Sequence, residues 1–467
     1  MEPDRKQGRG PFERRGVWRL SRRAMLAAPL AARAAALATL AQPFGSIWGI
    51  REAAADLAAA NSSATKSAAT DYFADPTFNF QALFAFGVAG YGVSEFGEVA
   101  TVLDRINARG ADYDAFFDEF SAMGIAVRNN ADASLAKRHR VSARAAFLRA
   151  AEYFSQALFV VLGTHDPSRE LATYNVMQDS WHKAATLFSP PLERVAIPYE
   201  GASMPGYFLA ADNSGRRRPT LILNNGSDAQ NIDLYAFGGA AALERGYNAL
   251  IFEGPGQGSM LFERDIPFRP DWEKVVTPVV DFLLTRSEVD PARIAIVGWS
   301  FCGESVARAA AFEHRLAAVC LDPGVVDYIR SWQLPSQITS LVERRDRQAL
   351  DQLWTAHLKQ ASPQQRFTIA KRSEIFGQRD FLDLVKYMQL FNCSDLVGRI
   401  TAPTLVMEAE LEQFYPGQSK EIYQLLKVPK TLVTFTAAEG AQYHDEPMAP
   451  QRRNEVLFDW LDETLGV

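Results

Sequence analysis

A chain of 467 residues, 48% hydrophobic and 22% charged, has the composition of a globular protein and the length for two packed units plus a tail, which excludes a disordered or fibrous molecule. The formal charge of −6 is unevenly spread: residues 1–35 hold nine Lys/Arg against three Asp/Glu, +6, which leaves −12 for the remainder. So acidic a body offers no basic surface for nucleic acid, and no nucleic-acid partner is expected.

In chain order, residues 1–60 read as a basic tail. Ser21-Arg22-Arg23-Ala24-Met25-Leu26, followed by an Ala-rich stretch from Ala27 to Ala41, has the form of a twin-arginine export signal. Arg33 interrupts that stretch and no clean A-x-A site follows, so an Arg-rich organelle presequence and a plain tail on a cytoplasmic protein stand as alternatives. No run attains the ~20 uninterrupted apolar residues of a membrane span. Residues 61–77 are small and polar and read as a linker. Residues 78–190 read as a helical lid module. Apolar residues recur three and four apart through Ala145–Leu162, and again at Leu171, Tyr174, Met177, Trp181, Ala184 and Phe188, until Pro190-Pro191 stops the pattern.

The texture changes over residues 191–467. Val195–Tyr199 and Tyr207–Ala211 read as a hairpin around Glu200-Gly201. Short apolar strands at Thr220–Leu223, Asn248–Phe252, Ile294–Val297, Ala317–Leu321, Thr404–Met407 and Thr431–Phe435 then alternate with helices. That alternation predicts an α/β fold, a mostly parallel sheet with helices on both faces. Residues 325–395 break it with helical, aromatic-rich sequence and read as a cap inserted after the sixth strand.

The chemistry gathers at the strand ends. Gly298-Trp299-Ser300-Phe301-Cys302-Gly303 lies between a strand and a helix, where a sharp turn exposes the serine oxygen above the sheet. The usual pattern is G-x-S-x-G; here Cys302 takes the second small position. A serine needs a base, and His444, in the loop between the last strand and the last helix, is the candidate. The acid that orients it is sought in Glu408-Ala409-Glu410-Leu411-Glu412, with Glu412 placed first, Glu410 second and Asp322 as a third candidate. The order Ser…acid…His is that of the α/β-hydrolase fold. The N–H groups of Phe301 and Ser227 are the expected oxyanion donors, a plain Asn-Gly turn being the other reading of the loop around Ser227. His165 and His182 read as surface or packing residues. Gly254-Pro255-Gly256-Gln257-Gly258 lacks the Lys-Ser/Thr of a phosphate loop and is read as shaping its own loop. Cys302, Cys320 and Cys393 form no disulfide framework, the histidines show no metal spacing, and neither a cofactor nor a metal is expected.

Several stretches together resemble one α/β-hydrolase subgroup: Phe268-Arg269-Pro270-Asp271-Trp272, Thr277-Pro278-Val279-Val280-Asp281, Gly298-Trp299-Ser300-Phe301, Arg308-Ala309-Ala310-Ala311-Phe312-Glu313, Pro416-Gly417-Gln418 and Ala438-Glu439-Gly440-Ala441. The subgroup includes 2,6-dihydroxypseudooxynicotine hydrolase and fungal heptaketide chain-shortening hydrolases, and the resemblance spans roughly residues 80–467. It implies a Ser-acid-His triad with Ser300 and His444, Glu412 standing where those relatives have aspartate, a helical lid, no cofactor, and a homodimer. It also implies hydrolysis of a carbon–carbon bond beside an aryl ketone or in a 1,3-dicarbonyl, with a small, aromatic or apolar carbonyl compound as the partner. Cleavage of an ester, thioester or peptide by the same residues is the alternative, and an inert ligand-binding relative is a third.

Overall fold

The computed structural model describes residues 71–467; the basic tail, the export-signal reading and residues 61–70 of the linker lie outside the described residues. The first helix, α1 (Pro76–Gly87), starts inside the segment read as linker. Asp75 explains this: its carboxylate accepts the N–H groups of Thr77 and Phe78, and Pro76 sits in the first turn, where its missing N–H costs nothing. Helices α2 (Phe96–Arg109), α3 (Tyr113–Ala136), α4 (Arg140–Val160) and α5 (Glu170–Ala185) complete an all-helical N-terminal layer. Arg140–Gly163 is apolar and long enough by composition to cross a membrane, but 78% of that apolar window is buried inside the protein, as in a core helix. Tyr153 ties α4 to α2, donating to Glu98 at 2.7 Å, and Arg149 pairs with the same carboxylate at 2.9 Å.

The sheet has eight strands in the order β1-β2-β4-β3-β5-β6-β7-β8. These are β1 (Glu193–Tyr199), β2 (Ala202–Leu209), β3 (Arg218–Asn224), β4 (Asn248–Phe252), β5 (Val289–Trp299), β6 (Ala318–Asp322), β7 (Thr404–Ala409) and β8 (Lys430–Phe435). β1 and β2 form the antiparallel edge, β2 joins β4 antiparallel, and every other pairing is parallel. Successive residues of a strand serve opposite faces. Leu221 and Leu223 of β3 pack with the N-terminal helices and α13 (Pro450–Leu465), while Ile222 packs with α6 (Glu273–Leu284), α7 (Cys302–Ala310) and the cap. Both faces are therefore buried, which is why the central strands read as unbroken apolar runs. The cap carries α8 (Ser336–Glu343), α9 (Arg347–Gln360), α10 (Pro363–Ile375) and α11 (Phe381–Met388), and α12 (Gln418–Leu425) lies between β7 and β8. Pro450 in the first turn opens the final helix. Between β3 and β4 the helical segment is interrupted by a π turn at Tyr235–Gly239.

The turn from β5 into α7 sets the site. Ser300 has φ +53°, a left-handed conformation unusual for a residue with a side chain. Its neighbours permit the close packing this requires. A Cβ on Gly298 would lie 2.3 Å from the Cys302 carbonyl oxygen, and one on Gly303 would lie 1.9 Å from that of Pro323. Gly303 thus meets the backbone beyond β6, while the position before it tolerates the buried thiol of Cys302. Gly303→Ala should destabilise the protein by about 3 kcal/mol, the upper end for an overpacked site, and Cys302→Ala by about 1 kcal/mol or less, both read from urea midpoints.

Candidate active site

Three loops at the carboxyl edge of the sheet bring Ser300, His444 and Glu412 together. His444 Nε2 lies 2.8 Å from Ser300 Oγ, and His444 Nδ1 lies 2.9 Å from both carboxylate oxygens of Glu412. Glu412 follows β7 by three residues, and its Oε1 also accepts the backbone N–H groups of Phe414 at 2.8 Å and Tyr415 at 3.1 Å. The extra methylene of glutamate is thus accommodated by a loop that folds back onto its own carboxylate. Gln413 Oε1 accepts the His444 N–H at 2.9 Å, and Leu411 N–H donates to the Gln442 carbonyl at 2.8 Å, so the acid loop and the histidine loop are tied directly. The ring of Phe414 stands 4.7 Å from the imidazole.

The two other carboxylates considered for the acid do not contact His444 in this way. Glu410 is exposed and accepts the Ala437 N–H at 2.7 Å. Asp322 is buried beneath the nucleophile; its carbonyl accepts the Ser300 N–H at 2.6 Å, and burial pushes its carboxyl up. His165 is exposed and pairs with Asp114, and His182 of α5 meets Tyr207 of β2.

The loop after β3 passes against Ser300. A Cβ on Gly226 would lie 2.9 Å from Ser300 Cβ and 3.0 Å from the Trp299 carbonyl, so only glycine allows this approach. The Gly254–Gly258 segment has a function the sequence did not reveal. Gln257 Nε2 donates to the carbonyls of Asn225 at 2.7 Å and Gly226 at 3.2 Å, while its Oε1 accepts Gly254 N–H at 2.9 Å. This side chain fixes the peptide orientation just before Ser227. The Ser227 hydroxyl donates to Asp228 at 2.7 Å and accepts from Arg372 of α10 at 2.9 Å, which links this loop to the cap.

A cavity of about 1050 Å³ opens over Ser300 and His444. Phe80 and Phe84 of α1, Phe159 of α4, and Trp332, Phe367 and Lys371 of the cap line it, with Phe159 packed against Phe367 at 5.6 Å between ring centroids. Lid and cap both contribute aromatic side chains to its walls.

Asp445, the residue after His444, was not singled out by spacing. Its Oδ2 lies 3.4 Å from His444 Nε2 and its Oδ1 accepts the Ser300 N–H at 3.2 Å. It faces the cavity from a backbone at φ +57°, followed by Glu446 at φ +42°. Arg453 of α13 holds this turn, donating to the Asp445 carbonyl at 2.6 Å and the Phe237 carbonyl at 3.0 Å, with its guanidinium 4.7 Å from the rings of Phe237 and Trp299. The sequence signal was two consecutive acids directly after the histidine.

Charge on these groups is interdependent. Burial disfavours a charged imidazole, but Asp445 first and Glu412 next overcome it and hold His444 at about 9. Burial also opposes ionisation of Glu412, yet the facing imidazolium and the hydrogen bonds keep it below its ordinary value. Among the described residues no group of His, Cys, Asp and Glu is arranged to hold a metal ion, and the three cysteines are buried and free.

Comparison with known proteins agrees with this architecture. The profile of the FrsA-like esterases matches residues 114–342. The hydrolase AcrC of Aspergillus aculeatus is 30% identical over 422 residues, 85% of this chain and 98% of that protein. The 20-hydroxy-prefusarin hydrolase FUS2 of Gibberella moniliformis is 26% identical over 419 residues, again 85% and 98%. Among solved structures, 2,6-dihydroxy-pseudo-oxynicotine hydrolase superposes with a TM-score of 0.65 at 21% identity, covering 83% of this chain and 95% of that one.

The geometry makes a direct statement about titration. His444 should titrate near pH 9 by NMR. Glu412→Gln removes a facing negative charge and should lower that value, whereas Glu410→Gln, lying outside the contact, should leave it in place.

Proposed function

This chain belongs to the α/β-hydrolases, in the group that holds AcrC and its relatives, and on that premise we propose that it is a serine hydrolase acting at a carbonyl carbon. The observation that carries the reading is the hydrogen-bonded series Glu412–His444–Ser300 at the floor of a large, aromatic-walled cavity. Ser300 Oγ attacks the carbonyl carbon as His444 Nε2 takes its proton, and Glu412 stabilises the imidazolium. The N–H groups of Phe301 and Ser227 receive the charge that develops on the carbonyl oxygen, each donor being worth about 3–4 kcal/mol of barrier. The tetrahedral adduct collapses, the scissile bond breaks and the leaving group departs with a proton supplied at the site as an alcohol, thiol or enol; water, giving a proton to His444, then attacks the acyl-serine, and that proton returns to Ser300 Oγ as the carboxylic acid leaves.

The favoured bond is a carbon–carbon bond in a β-dicarbonyl or acyl-aromatic compound of polyketide type. Its support is the resemblance of several sequence stretches to hydrolases of that chemistry and the size of the cavity, which suits a multi-ring or long-chain ligand. Hydrolysis of an ester or thioester is the second reading, favoured by the FrsA-like esterase profile. The completed acid–histidine contact speaks against an inert binding protein.

A panel of 1,3-diketones, acyl-aromatic ketones and aryl esters tests the reading with purified protein. Ser300→Ala should lower kcat by roughly 10⁴-fold or more on whichever substrate is turned over. Glu412→Gln should lower it by roughly 10³–10⁴-fold, with Glu410→Gln within about twofold of the parent. Turnover that survives Ser300→Ala sinks the serine mechanism, and turnover of esters alone selects the second reading.

A further inference from the structure

The mechanism above leaves without a task one cavity-facing acid that touches both Ser300 and His444. Asp445 reaches past the triad to the reacting serine. Its two oxygens lie 3.4 Å from His444 Nε2 and 3.2 Å from Ser300 N, whereas the far side of the imidazole already belongs to Glu412. The pose is an expensive one. Two successive residues with side chains, Asp445 and Glu446, take left-handed backbones at φ +57° and +42°. Such strain persists only where surroundings impose it, and it gathers at functional sites. Arg453, clamped between Phe237 and Trp299, imposes it here.

We propose that Asp445 is a catalytic acid that protonates the carbon leaving group as its enolate oxygen. The inference rests on the carbon–carbon reading given under Proposed function. Ser300 Oγ bonds to the carbonyl carbon and its proton passes to His444 Nε2. The alkoxide collapses and the carbon–carbon bond breaks. Its electron pair moves onto the oxygen of the neighbouring carbonyl, and the Asp445 carboxyl gives its proton to that oxygen, so an enol departs. The resulting carboxylate takes the proton from His444 Nε2, which lies 3.4 Å away. Neutral His444 can then accept a proton from the water that attacks the acyl-serine, and return it to Ser300 Oγ as the carboxylic acid leaves. One water is consumed, and the enol becomes a ketone in solution.

The surroundings suit a carboxyl that carries a proton. Burial raises Asp445 against the pull of His444, and Asp322 and Glu412 add to the rise, to about 7, with Arg453 opposing. Glu446, also buried and raised, completes the set of charged groups around it. With His444 at about 9, the two side chains hold one proton between them in that interval, chiefly on His444, and the proposed reaction runs from the minor form that carries it on Asp445 and leaves His444 neutral. An ester needs no such donor, because its alkoxide takes a proton from His444 directly.

The test compares Asp445→Asn and Asp445→Gly, the latter also removing the backbone strain, on a 1,3-diketone and an activated aryl ester, with fluorophosphonate labelling of Ser300 to report an intact nucleophile. Both variants should label. Diketone turnover should fall by roughly 100-fold or more, the scale of general acid catalysis, and the ester-to-diketone ratio of kcat should rise at least about tenfold. Equal losses on both substrates would mean a positioning role through His444, and no loss on either would mean no role; each overturns the proposal. A parent protein that hydrolyses esters but no diketone overturns the carbon–carbon reading and this inference with it, and shows itself before any substitution is made.

Discussion

Everything at this site depends on how closely the backbones of β5, α7 and the β6 loop approach one another. Ser300 can stand above the sheet in a left-handed conformation only because Gly298 and Gly303 leave room for the carbonyls of Cys302 and Pro323. Gly226 makes the same concession from the other side, letting the β3 loop lie against Ser300. The strain of one serine is thus held by three glycines on three segments, and the approach that holds it also brings the loop carrying Ser227 beside Ser300. Strand, helix and loop are interlocked by absent side chains before any polar contact is counted.

The polar contacts build a second constraint on the first. Glu412, His444, Asp445, Asp322, Glu446 and Arg453 are all buried. Isolated charges in such a place are costly, so the groups must share protons and charge. The consequence is a division of labour by environment. Glu412 faces the imidazole and two backbone N–H groups and stays ionised, whereas burial drives Asp322 and Glu446 toward their neutral forms, with the neighbouring Asp322 adding to the rise at Glu446. Arg453 supplies the one permanent charge and spends its hydrogen bonds on two carbonyls, so its role is as much to hold a turn as to balance charge.

Much of this was legible in the sequence because it is local or ordered along the chain. The buried strands announce themselves as apolar runs, since both faces of the sheet are covered. The elbow around Ser300 is a contiguous pattern. His444 and Glu412 are found by their distance from strand ends, even though Glu412 departs from the usual aspartate. What was not legible depends on approach across the fold. Nothing along the chain shows that Gln257 grips the loop before Ser227, or that Arg372 of the cap bonds to the Ser227 hydroxyl. Asp445 was one residue from a predicted site residue and still read as loop, because its significance lies in a positive φ that spacing does not encode. Asp75 and Pro76 show the converse: a legible cap and helix start fell within a composition that reads as linker.

The double enclosure of the cavity has a chemical meaning. The lid contributes Phe80, Phe84 and Phe159, and the cap contributes Trp332 and Phe367, so aromatic surface closes over Ser300 from two independent segments. Aromatic walls strengthen the dipoles around Ser300, and a carbanionic leaving group there would need a proton donor within reach of its oxygen, whereas an alkoxide leaving from the attacked carbon lies next to the imidazolium. Cap and β3 loop are coupled through Arg372, Ser227 and Asp228, with Lys371 pairing to the same carboxylate at 3.2 Å. Displacing the cap would break those bonds, so enclosure of the substrate and integrity of the loop beside Ser300 are one structural event rather than two.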